Sequence, residues 1–566
     1  MKTSSSSRLS DRPQTACIAI HWARMLGAVW LSVMLLTSCG QGDQFTLDRP
    51  TSTFPNAGDP CAGFTSRKQK GGSSITVAGT VQYEDRLYDS QGFTGTVQPK
   101  FVRFADVEVV SCAKDPTDTT AVVASGQTNE VGMYSIGPFS NASNASGLYV
   151  RVLARSQPVS NLHIVVRNNT LQKAIQAIVS PPFDDSTGTS FVSDITATAA
   201  SRLGGLFNIL DVSVEAAQYV TGLVVGGAPV RFPASTALTI YWEVGTDDGT
   251  YFDPSDRSIH LLGSLLDTDE YDDDVILHEY GHFMADVFSQ DDSPGGSHFL
   301  TDHTQDIRLA WSEGWATFFS AAVRGNPLLV DTIAGGASAF EINTPSFAST
   351  AIYTTNELAV STVLWHLLTA LGSSDIWDVF AHRLPAAATV SMEAFWDGWF
   401  GVGGFASKGH QTTLEGITAE RLMAFVANAS PLPLVVGRPA AYTLYATPGE
   451  SATLMVTFPA TTASHTVKTF NLGNGADTFL EVFPNAACIG QQVTGSPNDN
   501  GTDTTNYSRC GTQTQPPCPA NNDTNLASTI TFAATAGQHC IRVSRSPQAP
   551  PSAGFYGSFN LQVTSP

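Results

Sequence analysis

The chain has 566 residues, too many for one ordinary hydrophobic core, so roughly two to four domains are expected. Its apolar content of 42% is that of a globular protein and sets long-range disorder aside. With 29 basic against 50 acidic residues the net charge is −21, which excludes nucleic acid and anionic lipid surfaces as main partners, because phosphate would repel such a chain.

In chain order, the first apolar run is MLGAVWLSVMLLTSCG, Met25–Gly40, preceded by Lys2, Arg8, Arg12 and Arg24. It is short for a bilayer span and reads as the apolar part of a signal peptide over residues 1–39. Its end, Leu36-Thr37-Ser38-Cys39, resembles a bacterial lipobox. That resemblance implies a lipid on Cys39 and a place in the cell envelope. Gly40 rather than an aspartate after the cysteine favours the outer membrane. The membrane is then a partner through the lipid alone. A plain signal peptide with an incidental cysteine, and an extracellular protein, is the alternative. Residues 40–74 are polar and read as a tether. Beyond Cys17 and Cys39, six cysteines remain, an even number that suits disulfides in an exported chain. Cys61–Cys112 is the expected N-terminal bridge. Cys488, Cys510, Cys518 and Cys540 form two more, in one of three pairings that the sequence leaves open.

From residue 75 the pattern turns to short alternating runs such as SITVAGTVQYED, KFVRFADVEVVSC and GLYVRVLAR, which predict a β-sandwich over 75–160. Residues 161–430 begin with strand-like runs, LHIVVRN and KAIQAIVS, and a strand at Ala237–Val244, ALTIYWEV. Helical spacing appears near RLGGLFNILDVSVEAAQYVTGL and fills most of 272–430, including SMEAFWDGWFGVGGF, whose aromatics suit a core or a cleft wall. Past Pro431 alternating runs return, DTFLEVFPN, STITFAATAGQHCIRVSRS and GSFNLQVTS, which predict a second β-sandwich over 437–566.

The chemistry concentrates in DDDVILHEYGHFMADV, Asp272–Val287. Asp272 to Asp274 suit the positive end of a helix dipole, so a helix is expected here independently of any motif. On it His278 and His282 lie four residues apart on one face and offer two imidazoles to one ion. Glu279 sits about 100° round the helix from His278 and is placed for a general base rather than a third ligand. A second amphipathic helix, RLAWSEGWATFFSAAVRG (Arg308–Gly325), carries one acid, Glu313, among Trp311, Trp315, Phe318 and Phe319. A carboxylate in that company needs a partner, and a zinc ion would be one. The acidic run Asp267–Asp274 invites a Ca2+ reading, but it lacks EF-hand spacing and a central glycine, so solvated acids ahead of a helix are expected instead.

DDVILHEYGH followed by EGWATFF resembles the gluzincin metallopeptidases, in the fungalysin and thermolysin branch, with EGWAT similar also to the aminopeptidase branch. The resemblance covers roughly 205–430. It implies Zn2+ as cofactor, His278, His282 and Glu313 as its ligands, and Glu279 as general base and proton shuttle. The chain departs from the thermolysin branch four residues past Glu313, where Thr317 replaces the aspartate that orients the first histidine. Tyr353, just before a third helix in AIYTTNELAVSTVLWHLL, is the expected oxyanion donor, with His298, His303 and His382 as rivals. Asp248–Leu262 is the expected sheet edge for a bound peptide. The N-terminal runs ASGQTNEVGMYSI and LYVRVLAR resemble transthyretin-like domains. The C-terminal runs resemble the pre-peptidase C-terminal domain of secreted bacterial proteases.

The fold expected is multidomain, a central α+β, mostly helical zincin domain flanked by two β-sandwiches. The function expected is an exported zinc metalloendopeptidase acting on protein or peptide. An aminopeptidase would need an anchor for a free amine that no motif supplies. The alternative of another class is a non-catalytic surface lipoprotein that binds glycan or protein around a structural or decayed zinc site, which would have no use for Glu279.

Overall fold

The computed structural model describes residues 59–64, then 74–423 except 116–117, 142–146, 170–172, 304, 388–389, 402–404 and 422. From 432 onward it describes 432–433, 436, 440–444, 451–458, 464–470, 478–494, 496–499, 528–545 and 557–564. The expected signal peptide, Cys39 and most of the expected tether lie outside these residues, as do Cys510 and Cys518. No described helix is long and apolar enough to cross a membrane.

The first strand, β1 (Ile75–Asp89), alternates buried and half-exposed side chains, as a strand with one face on a core must. Its first half pairs with β5 (Met133–Phe139) and its second with β2 (Gly92–Phe101). Two short strands, β9 (Ser190–Val192) and β10 (Ile195–Ala197), add to β1 in parallel. The facing sheet has eight strands. Its main path starts at β14 (Tyr251–Asp253) and β15 (Ser258–His260), then runs through β13 (Thr236–Tyr241), β7 (Leu162–Arg167), β6 (Leu148–Ser156), β3 (Ala105–Ser111) and β4 (Val122–Gln127). The short β8 (Ala177–Val179) pairs with β6 off that path. A small hairpin, β11 (Val224–Val225) with β12 (Ala228–Pro229), lies outside both sheets.

These sheets cross residue 160, where the sequence reading parts two domains. β6 hydrogen-bonds to β7 across that point, and one continuous apolar core reaches from Ile75 to Met423. The physical reason is that Leu162, Ile164 and Val166 of β7 and Leu238 and Ile240 of β13 are fully buried and belong to that same core.

Among the described residues seven α-helices follow, including α1 (Leu203–Gly222), α2 (Asp273–Phe288), α3 (Ile307–Arg324) and α4 (Glu357–Leu371). The helix α1 lies on β1, β6 and β7 and packs its far side on α2. Between α3 and α4 the chain forms a hairpin, β16 (Leu328–Ile333) with β17 (Gly336–Glu341). The expectation of a mostly helical centre is therefore corrected. Residues 161–197 and 236–260 serve the sheets, and LLVDTIAGGASAFE turns back on itself at Gly335, whose φ of +79° favours glycine.

The C-terminal strands form two sheets of five and four around their own core of Leu454, Val456, Val467, Leu480, Ile541, Val563 and neighbours, a β-sandwich as expected. Cys61–Cys112 is bridged, with 5.6 Å between Cα atoms, and Cys488 pairs with Cys540 at 5.3 Å. Two bridges fit an extracellular or envelope protein, since disulfides persist in oxidising compartments.

The helix pair that matters for function is tied by glycines. A Cβ on Gly281 of α2 would stand 2.7 Å from Ala316 Cα of α3, and one on Gly314 of α3 would stand 2.6 Å from Val360 Cβ of α4. Trp315 Nε1 donates to the Gly281 carbonyl at 3.2 Å and holds the first contact. Gly281→Ala is therefore expected to force α2 and α3 apart and cost about 1–3 kcal/mol. Chemical denaturation of the variant checks this; unchanged stability would show that the close approach is not required.

Candidate metal centre

The helix α2 begins at Asp273, with Asp273 and Asp274 in its first turn, as the sequence predicts. The helix α3 is capped by Asp306, whose carboxylate accepts from Arg308 N, and stops at Gly325 in the left-handed region. Packing α2 on α3 brings His278, His282 and Glu313 together, with one ligand atom of each within 4.8 Å of the others. Glu313 Oε2 is 3.2 Å from His278 Nε2 and 3.5 Å from His282 Nε2. Two ligands bound at zinc distances on a tetrahedron stand about 3.3 Å apart. The residues therefore fit one tetrahedral ion.

The outer ring nitrogens are held as ligand histidines require. Thr317 Oγ1 lies 3.2 Å from His278 Nδ1, so the hydroxyl standing in the place of the expected aspartate does orient that ring. Ser312 Oγ donates to Asp291 Oδ2 at 2.7 Å and accepts from His282 Nδ1 at 3.3 Å. With a metal bound, Nδ1 would be the donor on each ring and both Nε2 atoms would be left to the ion.

The charges are those of a site built around a cation. Burial opposes ionisation of Glu313, yet His298 and His282 hold its carboxyl well below the usual range. Burial pushes His278 down to about 4. Glu279 is 1% exposed and neither of its carboxylate oxygens makes a hydrogen bond of normal geometry. Burial pushes it up to about 8, with the Phe252 backbone of β14 facing it. His282 Nε2 and Glu313 Oε1 are likewise buried without a hydrogen-bond partner. Buried polar atoms of this kind are costly unless something else satisfies them.

His298 also reaches the site. Its Nε2 is 3.8 Å from Glu313 Oε2, and its Nδ1 is 2.7 Å from Glu357 Oε2. Burial disfavours its charge, but Glu313 and Glu357 push it up to about 9. Tyr353 is buried at φ +72°, with its ring against His303 and its N–H on the Arg421 carbonyl, and no hydrogen bond joins it to Glu279 or Glu313. His382 is on the surface beside Asp378. Sequence reasoning missed Asp291, Ser312 and Glu357. Ser312 precedes Glu313 in EGWATFF's helix and was legible by position; Asp291 and Glu357 carry no local signal.

The strand β14 is the outer edge of the eight-stranded sheet and packs on α2, so the predicted edge at Asp248–Leu262 is an edge beside this site.

Residues 230–414 match the model of the Mycolysin C-terminal domain, a domain found in peptidases, and these residues include all of His278, Glu279, His282, His298, Glu313 and Glu357. The match identifies a peptidase-related region within the chain. An uncharacterised protein of Archaeoglobus fulgidus is 42% identical over 53 residues, 9% of this chain. The chain spans 15% of the length of that relative. Among solved structures, the pre-peptidase C-terminal domain of a Bacillus anthracis collagenase aligns at 8% identity and a TM-score of 0.16, over 24% of this chain and 99% of that one. A 9R-lipoxygenase of Cyanothece aligns at 16% identity and 0.13, over 24% and 19%.

Thr317→Ala and Ser312→Ala each remove a hydroxyl from a ligand histidine without touching Glu313. Each is expected to weaken Zn2+ binding about 10–100-fold with the fold intact. Competition against a fluorescent zinc chelator measures this, and wild-type affinity in both would remove the orienting role.

Proposed function

We propose that this chain is a zinc-dependent metallopeptidase that cleaves protein or peptide internally, with His278, His282 and Glu313 as ligands. The observation that carries this reading is the convergence of those three ligand atoms beside a buried, unpartnered Glu279. When bound, the zinc ion would polarise the scissile carbonyl and acidify the attacking water. Glu279 takes the proton of that water at a carboxylate oxygen and returns it to the departing amine. Its carboxylate is buried with neither oxygen hydrogen-bonded, which leaves both oxygens open to the water and to the departing amine. His298, steadied by Glu357 through Nδ1, presents Nε2 to the same cavity and is placed to donate to the developing oxyanion. It is one of the rivals to Tyr353 that the sequence offers for this role.

An extended substrate pairs along the free edge of β14, which sets its backbone beside Glu279. Cys39 is the lipidated residue in this reading, and residues 40–74 tether the enzyme at the outer face of the envelope.

The full chain is expected to hold one zinc per molecule and to hydrolyse casein. Glu279→Gln keeps the zinc and loses activity by about 100-fold or more. Hydrolysis that survives Glu279→Gln would sink the proposed mechanism. Bound zinc with no hydrolysis of any protein by the wild type would favour the non-catalytic binding protein.

A further inference from the structure

The acidic run 267–274, expected as solvated acids ahead of a helix, is instead largely buried: Asp269 is 4% exposed and Asp272 0%. That expectation is corrected. The cause is that α1, β14 and the β16–β17 hairpin close over the entry to α2. Asn208 of α1 donates to Asp273 Oδ1 at 2.8 Å, and Thr250, just before β14, donates to Asp269 Oδ2. From the hairpin, Ala334 N donates to the Leu266 carbonyl.

The fold sorts these acids into two sets. Glu270 is paired with Arg202, and Arg324 NH1 lies 3.2 Å from Asp273 and 3.6 Å from Asp274. The second set is held differently. Asp331 of β16 joins Asp267 and Asp269, and one carboxylate oxygen from each lies within 4.8 Å of the others. Asp272 stands behind them. Its Oδ2 accepts from Thr332 N and Thr332 Oγ1, both at 2.9 Å, which leaves Oδ1 buried with no hydrogen-bond partner. The charges that bear on Asp272 are those of Asp269 and Asp331. Among the described residues no basic side chain forms an ion pair with Asp269, Asp272 or Asp331.

Several carboxylates buried together repel one another and are costly to desolvate. Oxygens that share one Ca2+ at its usual bond lengths lie up to about 5 Å apart, which the three aspartates meet. Hard oxygen donors with no nitrogen or sulfur among them select a hard cation over zinc.

We propose that Asp267, Asp269 and Asp331, backed by Asp272, bind one Ca2+ ion. The site shares no residue with the zinc centre and does not rest on the peptidase reading. It joins two segments that are remote in sequence, the entry to α2 and the β16–β17 hairpin, and Thr250, just before β14, hydrogen-bonds to Asp269. A cation there fixes the edge strand and the helix bearing His278, Glu279 and His282 in one frame.

The test measures calcium bound to the metal-depleted full chain after dialysis against about 1 mM free Ca2+, the range of extracellular calcium modules. Thermal unfolding with and without Ca2+ accompanies it. The wild type is expected to retain one Ca2+ per chain and to unfold at a higher temperature with Ca2+ present. His278→Ala is expected to lose zinc and keep the calcium, which separates this site from the zinc centre. The isosteric pair Asp269→Asn and Asp331→Asn together is expected to abolish calcium binding and the thermal shift. No calcium retained by folded wild type, or calcium undiminished in the folded double variant, overturns the proposal. Should the double variant not fold, the wild-type stoichiometry alone decides it.

Discussion

The structure turns on one buried carboxylate. Glu313 is 1% exposed, on a helix whose other inward side chains are aromatic or small. An ionised acid in that place is tolerated only if positive charge is brought to it, since desolvation alone would drive it neutral. The fold supplies His282 and His298, whose charges hold it ionised, and sets the Nε2 atoms of His278 and His282 3.2 and 3.5 Å from its Oε2, separations that fit two ligands of one ion. Everything else nearby follows from bringing two helices close enough to do this. Gly281 and Gly314 remove the side chains that would hold α2, α3 and α4 apart, and Trp315 hydrogen-bonds across the first contact.

The same economy governs the start of α2. A helix entered through consecutive aspartates gains from the dipole, but only its first turn can use it. Arg324 from the end of α3 neutralises Asp273 and Asp274, so the helix that carries Glu313 also steadies the entry to the helix that carries the histidines. Arg202, ahead of α1, does the same for Glu270. The acids left over face each other and the hairpin, and their burial ties the sheet edge to the helix entry. One cluster, of nitrogen and oxygen atoms, draws its histidines from α2, and the other, of oxygen alone, draws two of its aspartates from the entry to that helix.

Much of this was legible in the residues themselves. The i, i+4 histidines lie on one face of a helix whatever surrounds it, and Glu313 stood out as the lone acid on an apolar helix. The stop at Gly325 and the alternation of the C-terminal strands were equally local. Thr317 could be named as the neighbour of the first histidine because it is one turn from Glu313 on the same helix, and its hydroxyl does reach His278.

Local pattern and spacing by themselves determined the two helices, the histidine pair with its glutamate, the C-terminal sandwich and the Cys61–Cys112 bridge, because each depends on residues within a few turns or on a simple count. Only the tertiary structure decided that His298, paired with Glu357, stands beside Glu313, that strands on both sides of residue 160 share one sheet, and that Asp331 meets Asp267 and Asp269. Those partners are tens of residues apart, and an aspartate reads the same in sequence whether water or a folded hairpin covers it. Burial is a property of the packed chain, and it is burial that turns these ordinary acids and imidazoles into sites.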